Sequence, residues 1–245
     1  HKDRPTSVRS PMAVRPLAAS FPETVAETGV GVDGSTTFEI GVGVTGEIST
    51  NAGGLMAPEI QDLSIGSEVG GASLHFVVVP PGTRLARFSL FDESVGDGTG
   101  ADDLDLQVQG PDTAGFPFVG FSGTPTSEEQ VDLIDPVPGV YAVFVIRFAT
   151  VNPVTPYDLH AWNVGPNVGN VVVSSPGPVT VGERVPVTVD WTGLAPGTKH
   201  RGIVEIANQD GDLGMTVLNI DTAPERCVGI GPASLRSGPL PVSDP

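Results

Sequence analysis

Apolar and polar residues alternate along much of the chain, most clearly near its centre. Residues 104–109 read Leu-Asp-Leu-Gln-Val-Gln, the period of two that is typical of a half-buried strand. Short apolar segments bounded by Gly and Pro recur on both sides, whereas long stretches with helical periodicity do not. The pattern therefore predicts an all-β protein, with central strands at 72–79, 84–91, 104–109, 116–121, 128–134, 140–148 and 157–164.

The spacing of turns and strands predicts three β modules between two irregular ends. A hairpin around Asp33-Gly34, with arms at 24–32 and 36–44, begins the first module. The polar, glycine-flanked segment 58–71 predicts a boundary. The predicted organisation is a linker at 1–16, a partial β module at 17–66, a jelly-roll-like sandwich at 67–167, a β module at 168–222 and an irregular tail at 223–245.

Composition narrows the function classes. Gly and Pro supply 32 and 24 of 245 residues, nearly twice the usual share of about 12%, which favours many short strands and turns. The net charge of −17 opposes binding to nucleic acid or to an anionic membrane surface, because both need clustered Lys and Arg. The longest apolar run, 140–146, is too short to span a membrane. The single cysteine, Cys227, excludes an internal disulfide.

Residues for nucleophilic catalysis are not arranged in a known motif. Gly120-Phe121-Ser122-Gly123 lacks the Gly-x-Ser-x-Gly pattern of a hydrolase. His75 and His160 lie inside predicted strands, which favours a structural role, and neither a His-x-x-x-His nor a Cys-x-x-Cys pair is present for zinc. Trp191 is interpreted as core, whereas Trp162 fits either a core or a surface position.

The acidic loop before the central strand is the candidate site with chemical content. Ca²⁺ prefers about 6–8 oxygen ligands from carboxylates and backbone carbonyls, and the glycines of this loop allow the backbone to curl. The spacing is not that of an EF-hand, and a solvated acidic loop is the alternative interpretation. The predicted metal ligands are Asp92, Glu93, Asp97, Asp102, Asp103 and Asp105.

The middle module resembles the bacterial pre-peptidase C-terminal (PPC) domain over about a third of the chain. The resemblance rests on Phe76-Val-Val-Val-Pro-Pro-Gly82, on Asp102-Asp-Leu-Asp-Leu-Gln-Val108 and on Asp135-Pro136-Val-Pro138-Gly139-Val-Tyr141. It implies a jelly-roll-like sandwich that follows the catalytic unit of a secreted peptidase, and some such domains bind calcium near the Asp-rich strand.

The flanking modules resemble the fibronectin type III-like regions of some subtilisin-like proteases. The matching residues are Ser10-Pro-Met-Ala-Val-Arg-Pro16 with the later 34–46 hairpin, Val185-Pro-Val-Thr-Val-Asp-Trp191 and Leu194-Ala-Pro-Gly-Thr-Lys-His200. The family's catalytic Asp, His and Gly-Thr-Ser motifs are absent, so no residue here receives a catalytic role. The chain begins at His1 rather than Met, and we expect it to be a processed product or an excised piece.

The resulting hypothesis is a non-catalytic accessory region of a secreted subtilisin-like serine endopeptidase, located outside the cell or on its surface. Its partners would be the upstream catalytic domain and protein substrate, with Ca²⁺ as cofactor. Two alternatives stay open: a stand-alone extracellular binding or adhesion protein, and a carbohydrate-binding accessory module. An exposed aromatic strip would favour the carbohydrate alternative, and an exposed apolar patch on the first module would favour a missing catalytic partner.

Overall fold

A computed structural model describes residues 17–68 and 70–225 of the protein. The predicted linker at 1–16 and most of the predicted tail, including Cys227, lie outside the described residues. The described part consists of strands and two single-turn 3-10 helices, Asp92–Ser94 and Asp112–Ala114. Within it, none of the helices has the length and apolar character needed to cross a membrane. The predicted all-β class is confirmed.

The strands fall into three groups along the chain. The first group is β1 (Ala19–Ser20), β2 (Thr24–Val30), β3 (Gly34–Val42) and β4 (Gly46–Met56). The second is β5 (Glu59–Ile65), β6 (Ala72–Val79), β7 (Leu85–Leu90), β8 (Asp103–Gln109), β9 (Phe118–Ser122), β10 (Glu129–Ile134), β11 (Gly139–Ala149) and β12 (Thr155–Val164). The third is β13 (Val171–Val173), β14 (Gly177–Val179), β15 (Arg184–Trp191), β16 (Lys199–Asn208) and β17 (Gly211–Thr222).

The first and third groups together form one sandwich, which we call the flanking sandwich. Its sheet I has the order β1-β3-β15-β13, and its sheet II has the order β14-β4-β16-β17-β2. Strand β3 pairs with β15 from Gly34↔Trp191 to Gly41↔Arg184, and β4 pairs with β16. The shared core includes Phe38, Ile40, Val187, Trp191 and Leu218.

The structure therefore differs from the predicted division into separate modules at 17–66 and 168–222. Each sheet of the flanking sandwich takes strands from both segments. The physical reason is burial. The first segment supplies only two strands to each sheet, and two strands alone are at best marginally stable in water, so the core is completed with strands of the other segment.

The second group forms an inserted sandwich between β4 and β13. Sheet III has the order β10-β7-β12-β5 and sheet IV the order β6-β11-β8-β9, so eight strands build two four-stranded sheets with jelly-roll connectivity. The predicted jelly-roll-like sandwich is thus observed. Its core contains Phe88, Leu104, Leu106, Tyr141 and Leu159.

Two local predictions were wrong. The arms of the predicted hairpin enter different sheets: β2 pairs in parallel with β17, whereas β3 lies between β1 and β15. The turn between them is held by the other segment, because Gly31 O accepts a hydrogen bond from Trp191 Nε1. The predicted boundary at 58–71 contains β5, an edge strand of sheet III whose Ile60 and Leu63 side chains are exposed.

Sheets II and III pack face to face, so the two sandwiches form a stack of four sheets. A third buried cluster joins Leu85, Trp162 and Val164 of sheet III to Ile203 and Val217 of sheet II. Burying a side chain of this kind contributes about 1.5–3 kcal/mol. We call this contact the joint.

Polar contacts fix the register of the joint. Trp162 Nε1 donates to the carbonyl oxygen of Lys199 at 3.0 Å, and Arg87 Nη1 donates to Asn219 Oδ1 at 2.8 Å. Arg84 Nε lies 2.6 Å from Glu205 Oε1. Each contact links sheet III, or the turn before it, to sheet II. Directional bonds of this kind favour one packing arrangement over other apolar contacts.

Candidate functional site

The acidic loop connects β7 to β8 at one end of the inserted sandwich. Val95 follows the 3-10 helix at Asp92–Ser94 and is buried in the core of the inserted sandwich, which anchors the loop. Gly96, Gly98 and Gly100 have φ angles of 61°, 77° and 73°, a backbone region that favours glycine. The predicted role of these glycines in curling the loop agrees with these angles.

Four of the six predicted ligands make other contacts. Asp92 Oδ1 accepts a hydrogen bond from the Ser127 amide at 2.8 Å. Asp102 is buried, and its Oδ1 accepts a hydrogen bond from the Val151 amide at 2.7 Å. Asp97 is exposed, and its Oδ1 accepts hydrogen bonds from the amide and hydroxyl of Thr99. Glu93 Oε1 lies 2.9 Å from Lys199 Nζ of the flanking sandwich. These side chains are held by protein partners.

Asp103 and Asp105 instead lie near a third carboxylate that sequence analysis missed, Glu129 on β10. Glu129 is 1% exposed. Its Oε1 accepts a hydrogen bond from the Thr124 amide at 2.5 Å, whereas Glu129 Oε2 and Asp103 Oδ1 are buried without a hydrogen-bond partner among the described residues. Burying a carboxylate oxygen without a hydrogen-bond partner costs folding free energy, so the pair of Asp103 and Glu129 is unusual.

A sequence signal for Glu129 existed in the alternation of β10. Glu129 shares its phase with Val131 and Leu133, which face the core of the inserted sandwich. A carboxylate on the inward face of a strand is rarely buried without a partner. That position could have been singled out from the pattern alone.

The electrostatics of the group are repulsive. Burial raises the pKa of Asp103, and the charges of Glu129 and Asp92 raise it further. Burial likewise raises the pKa of Asp105, with added repulsion from Asp103 and Glu129. In contrast, hydrogen bonds from Thr99 lower the pKa of Asp97. The ion pairs of the described chain include neither Asp103, Asp105 nor Glu129, so this negative charge has no counter-ion there.

We expect Asp103→Asn to raise the melting temperature at about pH 7 and to leave it unchanged at about pH 3. A carboxylate whose folded pKa lies above its unfolded value contributes most to stability below the unfolded value of 3.8. That contribution is lost as the pH rises through the folded pKa. Asparagine carries no charge and removes the repulsion, so the melting temperature of the variant should rise only at the higher pH, where Asp103 is ionised.

Asp97→Asn is the matched control, and the opposite sign is expected. Its folded pKa is lowered, so its contribution is present above the unfolded value and is lost as the pH falls through the folded pKa. Thermal melts of both variants across this pH range test the assignment. A lower melting temperature for Asp103→Asn at about pH 7 would contradict it.

The histidines and tryptophans inside strands have structural roles, as the sequence pattern favoured. His75 is buried and hydrogen-bonded to Gln61 Oε1 and Tyr157 Oη, both at 2.8 Å. Trp191 lies in the core of the flanking sandwich. Trp162, for which both positions were open, is buried in the joint and stacks on His160.

The outer face of sheet IV carries a second feature, an exposed apolar surface that we call the apolar face. Two glutamines of β8 lie within it, because Gln109 pairs with Phe118 and Gln107 with Phe121. The rings of Phe76 and Phe116 contact each other with centroids 6.2 Å apart. The large side chains, which are 46–64% exposed, are Leu74, Phe76, Val78, Phe118, Phe121 and Phe148.

A cleft joins the two features. It has a volume of about 280 Å³ and is lined by Asp103 and Asp105, by the rings of Phe121 and Phe148, and by the loop 123–125. The carboxylates come from the acidic end of β8, and the rings come from the apolar face. This cleft can accept a group that combines positive charge with apolar surface.

No protein-family model matches the chain, and no curated protein matches it either. Within residues 17–68 and 70–225, no group of three or more His, Cys, Asp or Glu side chains is arranged to hold a metal ion. Ca²⁺ binding by the acidic loop stays a prediction.

Proposed function

We propose that this chain is the non-catalytic accessory region of a secreted subtilisin-like serine endopeptidase and that it stabilises or positions the catalytic domain. The observation that carries the proposal is the apolar face of sheet IV. Six large apolar side chains on one sheet face are each about half exposed, and contiguous apolar surfaces of this kind are typical of interaction sites. Its location differs from the expectation, which placed such a patch on the first module.

The sequence resemblance to the PPC domain supplies the identity of the partner in this proposal. The jelly-roll connectivity of the inserted sandwich agrees with the fold that the resemblance implies. The proposal assigns no catalytic residue to the chain, and it places the protein outside the cell. Protein substrate is the second partner that the apolar face could contact.

The apolar face is expected to be covered in the natural secreted polypeptide. Hydroxyl-radical labelling of Phe76, Phe118 and Phe121, read by mass spectrometry, should fall by about fivefold or more relative to the isolated 245-residue chain. Leu17, which is 64% exposed on the flanking sandwich, is the internal control. Equal labelling of the phenylalanines in the two samples would reject docking through this face.

Ca²⁺ at the acidic loop is part of the proposal. The two buried carboxylate oxygens without partners, Asp103 Oδ1 and Glu129 Oε2, support cation binding because a bound cation offsets their repulsion. We expect excess EDTA to lower the melting temperature and added CaCl₂ to restore it. Identical melts in EDTA and CaCl₂ would reject this part.

Carbohydrate binding is the second candidate, and the aromatic strip on sheet IV favours it. Both tryptophans are buried, so the exposed rings would be phenylalanines, with Gln107 and Gln109 between them as hydrogen-bonding groups. Sedimentation with insoluble cellulose and chitin tests this candidate. Retention that Phe118→Ala abolishes would favour it over protein docking.

A further inference from the structure

We propose that the cleft at the edge of the apolar face binds a lysine or arginine side chain of a protein partner. The cleft is bounded by Asp103, Asp105, Phe121 and Phe148. The inference goes beyond the proposed function, because the cleft can bind such a side chain whichever protein carries it.

The negative charge of the cleft favours binding of a cation. Glu129, 1% exposed and with Oε2 unpartnered, lies close enough to add to the repulsion at both Asp103 and Asp105. Asp103 and Asp105 line the cleft, Glu129 is buried nearby, and within the described residues no basic side chain forms an ion pair with any of the three. A positive group that enters the cleft replaces repulsion with charge-assisted contacts.

The walls of the cleft select the type of cation. Phe121 and Phe148 are 53% and 64% exposed, and phenyl rings attract ammonium and guanidinium groups through their faces. Asp103 also belongs to the proposed Ca²⁺ site, so a basic side chain and Ca²⁺ compete for this end of β8. A basic side chain satisfies both surfaces, since its aliphatic stem packs on the rings and its charged head reaches the carboxylates.

The size of the cleft fits one side chain. Its volume of about 280 Å³ lies just below the range of about 300–1,000 Å³ that is typical of small-molecule sites. The cleft also opens beside the apolar face. A protein that covers this face can therefore insert one basic residue at its edge, which would fix the orientation of the complex.

NMR titration of the whole chain tests the inference with small probes. Nα-acetyl-lysine methylamide and Nα-acetyl-arginine methylamide should cause saturable shifts of the Phe121 and Phe148 ring signals and of the Gly123 and Thr124 amides. The norleucine analogue, which lacks the charge, should cause none at the same concentration. The shifts should weaken as salt is added.

Matched variants complete the test. Asp105→Asn should weaken binding of the charged probes by about tenfold or more, whereas Asp190→Asn, at an exposed aspartate of the flanking sandwich, should leave it unchanged. Absence of saturable shifts, equal shifts with norleucine, or cleft shifts caused by CaCl₂ but not by the charged probes would each overturn the inference. Because the probes contain no protein domain, failure here leaves the proposed docking of the catalytic domain standing.

Discussion

Removing the inserted sandwich is expected to leave the flanking sandwich folded, whereas removing residues 168–245 is expected to unfold what remains of it. The first deletion joins β4 to β13 by a short Gly-Ser linker, which is feasible because Gly53 and Pro166 are bridged at the point of insertion. The second deletion takes away β13–β17, and with them the β15 partner of β3 and both partners of β4. Amide dispersion in NMR spectra and resistance to limited proteolysis report the outcome.

The tryptophans give an independent signal for these deletions. Trp191 is in the core of the flanking sandwich and Trp162 is in the joint, so each deletion leaves one of them as the sole reporter. We expect Trp191 to keep a blue-shifted emission when the insert is absent. Protease-resistant β2–β4 in a chain that ends at residue 167 would contradict a shared sandwich.

Asp132→Ala is expected to destabilise the protein by about 3–5 kcal/mol. Asp132 accepts two hydrogen bonds from Arg87, at 2.6 Å from Nε and 2.7 Å from Nη2. The Arg87 side chain is only 3% exposed, so removing Asp132 leaves a buried positive charge whose remaining side-chain partner, Asn219, is neutral. Denaturant unfolding with a fixed m-value measures the loss.

Glu39→Ala is the matched control, because the Arg184–Glu39 pair has the same chemistry at the surface, with side chains 76% and 58% exposed. Its loss should be less than about 1 kcal/mol. The double variant Arg87→Met with Asp132→Leu should lose much less than Asp132→Ala, since no buried charge remains. Equal losses for Asp132→Ala and Glu39→Ala would contradict the buried joint.

The sequence predicts the strands better than the way they combine. Alternation at 104–109 and the run at 140–148 located β8 and β11 closely, because side-chain period is a local property. Pairing of β3 with β15 joins residues about 150 positions apart, and nothing in a local pattern specifies such a partner. When one sandwich is built from two segments that are separated by an insertion, the sequence pattern therefore suggests two separate modules.

The same limit explains two smaller misses. Strand β5 lies at the edge of sheet III and carries polar residues on much of its length, so it resembles a linker. The Asp33-Gly34 turn has the composition of a hairpin turn, yet Trp191 and Gly193 hold it where the chain crosses from one sheet to the other. Tertiary contacts decided both outcomes.

The sequence singled out the acidic loop as a candidate site, and the structure groups its carboxylates differently. The acidic loop and β8 supplied Asp103 and Asp105, whereas Asp97 and Asp102 are satisfied by Thr99 and Val151. Glu129 and the two phenylalanines of the cleft come from other strands. The sequence identifies residues that are able to bind a ligand. Only the packing of sheets III and IV decides which of these residues lie close together.

The proposed function is tested most directly by the intact mass of the natural secreted product, with peptide sequencing of any segment upstream of His1. An accessory region of a protease predicts a larger polypeptide that carries an Asp/His/Ser catalytic unit before this chain. A product that begins near His1 would contradict that account and leave a stand-alone extracellular binding protein.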